Sequence, residues 1–112
     1  MRKTPEARVK DSVKKELDSR GFWKAGAAKP VTVSGWYYMP VSNGMGTHGI
    51  PDFVCCWLGK FFSIETKAPG GKPTPNQLKR HEEIQEAGGE VLVIDDVSNL
   101  RKFFDGGHSR SS

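Results

Sequence analysis

Two carboxylates and one lysine stand out in this chain by their surroundings. The 63 positions from Ser19 to His81 hold eight Lys or Arg and only two acidic side chains, Asp52 and Glu65. Lys67 follows Glu65 by two, and alternate side chains of a strand share a face, so Glu65 and Lys67 project together while Phe62, Ile64 and Thr66 point the other way. Two carboxylates a few ångströms apart repel unless a cation sits between them, and oxygen-only donors suit Mg²⁺ or Mn²⁺ rather than zinc. Such an ion stabilises charge on a phosphate, and a neighbouring lysine orients the nucleophile or neutralises the transition state. The chemistry these residues could perform is phosphodiester hydrolysis. The competing account is a cross-strand salt-bridge cluster on a solvated face.

The elements must bring Asp52 to the other two. Phe53 to Leu58 and Phe61 to Lys67 read as strands flanking a two-residue turn, Gly59-Lys60, which pairs Asp52 with Lys67 and Val54 with Glu65. Asp52, Glu65 and Lys67 then share one face, an arrangement that a one-residue slip would destroy. Thr4-Pro5-Glu6 opens a helix that closes at Gly21, with Val9, Val13 and Leu17 on one stripe and Glu6 on the same stripe. Residues 22 to 30 read as irregular, and Val31 to Val41 as β-rich, with Gly35 a bend or bulge. Ser42 to Gly49 is a loop to which Gly44, Gly46 and Gly49 lend freedom. Thr74-Pro75-Asn76-Gln77 carries a capping-box pattern for a helix ending at Gly88-Gly89. Val91 to Ile94 is a short strand, and Asp95 to Asn99 turns into a last helix bearing Leu100, Phe103 and Phe104. The order is α-β-β-β-α-β-α around one small sheet, an α/β fold.

At 112 residues the chain makes one domain, with 36% hydrophobic and 27% charged residues, the composition of a globular protein. Its longest apolar run, Phe53 to Leu58, is six residues, against about 20 for a membrane span. No apolar signal follows the basic start, so the expected location is intracellular. Cys55 and Cys56 are adjacent and face opposite ways, which argues for reduced packing residues. Residues 1 to 81 carry 14 basic and 6 acidic side chains, whereas residues 82 to 112 carry 3 and 7, so the basic part is the expected nucleic-acid face.

Pro51-Asp52 followed by Glu65-Thr66-Lys67 resembles the PD-(D/E)XK nuclease signature. The context is sharper: Gly49-Ile-Pro-Asp52, the hairpin with Gly59, Ile64 to Gly71, Pro75-Asn-Gln77, and Gly88 before Val91-Leu-Val93 resemble the VRR-NUC (virus-type replication-repair nuclease) branch, over residues 4 to 104. The resemblance implies a restriction-endonuclease-like core with a small mixed sheet flanked by helices and one nuclease domain over 1–104, while Asp105 to Ser112 (105–112) reads from the sequence itself as a flexible tail. It also implies Mg²⁺- or Mn²⁺-dependent DNA cleavage and, for short stand-alone members, homodimers acting on branched DNA such as Holliday junctions. Matched residue by residue, Asp52 and Glu65 are metal ligands, Lys67 is the catalytic lysine, Gln77 matches the glutamine after the Gly-Gly-x-x-x-Pro loop, and Glu6 matches the acidic residue of the first helix. Thr66 stands where the family often has valine, and its main-chain carbonyl remains a candidate ligand.

The remaining candidates have everyday alternatives. Glu6 also suits a helix first turn, and Glu16, close to it on the helical wheel, competes for its role. A capping box alone accounts for Gln77. His48 beside the loop could contact phosphate, and Lys72, Lys79 and Arg80 could hold a DNA backbone or form a solvated basic face. His81, on the helix face with Gln77 and Ile84, reads as a packing or surface residue, a role near the phosphate being the alternative. Of Trp36, Tyr37 and Tyr38, at least one belongs in the core, while the others could stack on bases or form a dimer surface. Besides a nuclease, two other functions fit: a non-catalytic nucleic-acid-binding module, and a subunit of a replication or repair complex.

Overall fold

A computed structural model describes residues 2–41 and 46–107; Gly44 and residues 108 to 112 of the tail lie outside the described residues. Helix α1 (Pro5–Ser19) begins where the Thr4 hydroxyl accepts the Ala7 amide and proline occupies the first helical turn. Four strands follow, β1 (Phe22–Lys24), β2 (Gly35–Tyr38), β3 (Phe53–Trp57) and β4 (Lys60–Thr66), then α2 (Pro75–Glu86), β5 (Glu90–Ile94) and α3 (Val97–Lys102). A wide π turn, Phe103–Gly107, completes the described chain. The sheet runs β1-β2-β3-β4-β5, with β1 parallel to β2, β2–β3–β4 antiparallel, and β5 parallel to β4.

One face of the sheet holds the core. Phe22, Tyr37, Phe53, Cys55, Phe62 and Ile64 pack there against Val9, Val13 and Leu17 of α1 and against Leu100 and Phe104. The valine and leucine positions recur every four residues, so one turn of α1 after another buries an apolar side chain. Phe22, Phe62, Trp57 and Phe104 meet edge to face, the arrangement ring quadrupoles favour. Helix α2 packs along β5, while Trp36 and Tyr38 stay 38% and 45% exposed. No helix among the described residues is long and apolar enough to cross a membrane.

Four expectations are corrected. Residues 22 to 24 are not irregular: they form β1, which pairs Phe22 with Gly35. Gly35 is accordingly a strand residue rather than a bulge, and its missing Cβ makes room for the Phe22 ring, which a methyl group would meet at 2.5 Å. The hairpin turn is Leu58-Gly59, not Gly59-Lys60, because both turn residues adopt left-handed backbone angles (φ 54° and 76°) and Lys60 pairs with Trp57. Phe53 therefore faces Ile64, and Val54 faces Ser63 rather than Glu65. The slip is two residues, so every side chain keeps its face. Finally, Asp105 is no loose end: it accepts a bond from Arg20 within the terminal turn. The observed order is thus α-β-β-β-β-α-β-α.

Candidate active site

The hairpin ends opposite its turn at Asp52 and Glu65, where β4, the loop before β3 and the start of α2 converge. Asp52 lies just outside β3. Its Oδ2 accepts the Thr66 amide at 2.9 Å and the Thr66 hydroxyl at 2.7 Å, prolonging by side chain the ladder that stops at Phe53 and Ile64. Thr66 was expected to have no part in the carboxylate cluster beyond its carbonyl; instead its hydroxyl and amide both fix Asp52. The other oxygen, Oδ1, lies 3.6 Å from Lys10 Nζ on α1. The sequence leaves Lys10 able to reach solvent or phosphate; its contact with Asp52 has one signal, its place a helical turn after Glu6.

Glu65 is buried, 1% exposed, in the second-last position of β4. Its Oε2 accepts a 2.9 Å bond from Gln77 Nε2. Gln77 belongs to the α2 capping box as well, since its Oε1 accepts the Thr74 amide and its own amide donates to the Thr74 hydroxyl. The same side chain thus starts the helix and tethers it to the carboxylate. His81, buried one turn later, places Nε2 3.5 Å from Glu65 Oε1. Lys67, 8% exposed, donates its amide to the Ile94 carbonyl, which secures the β4 end to β5.

Burial pushes the Glu65 carboxyl up to about 8, repulsion from Asp52 adds to the rise, and Lys67 partly offsets it. Burial and then Lys67 lower the His81 pKa, which favours the neutral imidazole. These shifts show Asp52, Glu65, Lys67 and His81 as one electrostatic unit. Glu6 raises Glu65 more weakly and is itself exposed, not buried along the helix stripe as expected, because the buried stripe of α1 begins only at Val9. Glu16 is settled elsewhere, bound by Arg20 and Arg101.

The donor set fits a hard divalent cation. Asp52 Oδ1 has a long ammonium contact to Lys10, and a carboxylate oxygen has two lone pairs, so Glu65 can accept from α2 and still ligate. Among the described residues no group of three or more His, Cys, Asp and Glu side chains converges on one point. An ion here could take Asp52 and Glu65, with the Thr66 carbonyl and water making up the rest. Asp52 and Lys10 open onto a cleft of about 300 Å³ lined also by Pro40, Thr47, His48 and Ile50.

The flanking candidates divide. His48, Lys72 and Lys79 are exposed. Arg80 bonds the His48 carbonyl at 3.2 Å and Glu83 at 2.7 Å, so it holds the loop onto α2. Tyr37 is the core member of the aromatic triplet, with its hydroxyl donating to Asp18. Cys55 is a buried free thiol and Cys56 an exposed one.

Loop and helix also touch at Gly49, whose φ is +86° and whose Cβ would fall 2.4 Å from the Asn76 carbonyl oxygen. Backbone cannot swing aside as a side-chain tip can. Gly49→Ala is expected to destabilise the protein by roughly 2–3 kcal/mol, read as a lower urea midpoint. A change under about 0.5 kcal/mol, the size of an ordinary surface substitution, would contradict the contact.

No protein-family model matches the chain. Its structure is similar to a solved VRR_NUC domain, with a TM-score of 0.68 over 95% of this chain and 100% of that one at 23% identity. This chain has the fold of a VRR_NUC domain. In sequence it is 43% identical over 58 residues, 49% of this chain, to "Putative nuclease p44" of Acyrthosiphon pisum secondary endosymbiont phage 1. The match spans 62% of that relative's length.

Proposed function

From the VRR_NUC fold and the side chains gathered on it, we propose that this chain is a Mg²⁺- or Mn²⁺-dependent DNA endonuclease of the VRR-NUC family. The observation that carries the reading is the grip on the two carboxylates. Thr66 fixes Asp52 and Gln77 fixes Glu65, with Lys67 next along β4. A salt-bridge cluster on a solvated face would be exposed and loosely paired. Here Glu65 and Lys67 are buried, and two acids are held together at the cost of pushing one of them to about 8.

A divalent ion bound here would polarise a phosphate oxygen and lower the pKa of a water. Asp52 and Glu65 supply the anionic oxygens, and the Thr66 carbonyl is the main-chain donor between them. Lys67 holds the attacking water beside Glu65 and offsets negative charge as the water oxygen bonds to phosphorus and the ester oxygen leaves. Gln77 keeps Glu65 in one orientation. Glu6 assists from the first turn of α1. His48, Lys72 and Lys79 contact the DNA backbone, while Arg80 keeps the loop in place.

Branched DNA, such as a four-way junction, is the proposed substrate, cut by a homodimer. The described residues of one chain hold one such site, and paired cuts in a two-fold junction need two. The test is cleavage of a labelled four-way junction, a flap, a duplex and a single strand in Mg²⁺ or Mn²⁺, with the solution mass measured on the junction. Junction cutting by a dimer is expected. Preference for single strands, or a monomer on the junction, contradicts the substrate proposal. Binding of all four DNAs without cleavage in either metal would favour a non-catalytic binding module or a subunit that needs a larger complex.

A further inference from the structure

Two consecutive turns of α2 face Glu65. Gln77 Nε2 reaches Oε2 at 2.9 Å, and His81, four residues on and therefore on the same helix face, sets Nε2 3.5 Å from Oε1. His81 is 5% exposed and Glu65 1%, and neither Glu65 Oε1 nor His81 Nε2 has a hydrogen-bond partner among the described residues. Buried polar atoms are nearly always paired, so two orphans facing each other at this distance mark a bond that a small rotation completes. The imidazole can donate from Nε2, and the carboxylate can only accept when ionised.

Resting on the nuclease reading, we infer that His81 is a positioning residue that works with Gln77 to grip both oxygens of Glu65 and so fix the direction in which this carboxylate meets a divalent ion. Partners behind a ligating carboxylate set its orientation and the affinity of the site. The helix is a suitable carrier. Its start is locked by the capping box at Thr74 and by the Gly49 contact at Asn76, so the two side chains reach Glu65 from a fixed platform. The rival account has His81 merely filling space under α2. The two accounts part over an apolar side chain of similar size, which preserves filling and removes the donor.

The experiment measures Mn²⁺ binding to the full chain without DNA by electron paramagnetic resonance, for wild type, His81→Leu and His81→Gln, with melting temperatures and plasmid cleavage at graded Mn²⁺ in parallel. His81→Leu is expected to weaken Mn²⁺ binding about tenfold or more and to raise the Mn²⁺ concentration for half-maximal cleavage by the same factor. His81→Gln, whose amide can donate, is expected to recover most of both. If the leucine variant does not fold, His81→Asn, whose shorter amide falls short of Glu65, takes its place with the same expected loss. Unchanged Mn²⁺ affinity in a folded donor-less variant, or no recovery with glutamine, overturns the assignment. A wild-type chain that binds no Mn²⁺ overturns the metal reading itself and the assignment with it.

Discussion

Lys67→Ala is expected to lower the single-turnover rate of DNA cleavage by about 10²–10⁴-fold, the range for removing a positioned proton-transfer or charge-stabilising group, while DNA binding changes little. The expectation follows from where the lysine sits. Lys67 is 8% exposed, its main chain is tied to β5 through Ile94, and its charge acts on Glu65 and His81. A cation so enclosed contributes little to the surface field that gathers DNA and much to charge that develops beside Glu65. Gel-shift affinity and rate measured on the same preparation separate the two. A variant that cuts as fast as wild type removes Lys67 from the chemistry.

Glu65→Gln is expected to abolish cleavage, by about 10³-fold or more as for loss of a key electrostatic group, and at the same time to make the metal-free protein more stable in mild alkali. Glu65 has a folded pKa of about 8, above the ordinary carboxyl value of 4.5. Its stabilising contribution is therefore complete below pH 4.5 and is lost as pH rises through 8, since the fold favours the protonated form. Glutamine mimics that form at every pH. Metal-free wild type should lose stability as pH rises from 4.5 to about 8 and change little above that, and the variant should exceed it at pH 9 by roughly 2–4 kcal/mol. Added Mn²⁺ should restore the wild type, by about 2.7 kcal/mol at a hundred times its dissociation constant, and leave the variant unmoved. Thermal melts across this window, with and without Mn²⁺, check each part. A variant no more stable than wild type at pH 9 would mean that Glu65 is not held under this strain.

These expectations rest on residues that were unevenly legible in the sequence. Thr4-Pro5 and Thr74-Pro75-Asn76-Gln77 announce both long helices because capping is local chemistry, complete within four residues. The shared face of Glu65 and Lys67 needs only the strand period. Asp52 joined them although the hairpin register was misread, because a slip of two residues preserves parity. What determined the register was a leucine at φ 54°, a conformation its side chain gives no sign of. Strand β1 could not be read from Phe22-Trp23-Lys24, which owes its form to a parallel partner and to the space over Gly35. The contacts that His81, Lys10 and the Thr66 hydroxyl make with the two carboxylates were not legible, for one reason. Each acquires its role by a contact between elements distant in the chain, His81 across from β4, Lys10 from α1 and Thr66 toward the loop before β3.

The most direct measurement of the central claim is single-turnover cleavage of a labelled four-way junction by purified protein in Mg²⁺, in Mn²⁺ and in EDTA, with Lys67→Ala alongside. Cutting in a divalent metal, none in EDTA, and loss of the cut in a folded Lys67→Ala that still binds the junction is the predicted result. Cleavage that persists in EDTA, or that Lys67→Ala retains in full, would contradict a metal-dependent centre built from Asp52, Glu65 and Lys67.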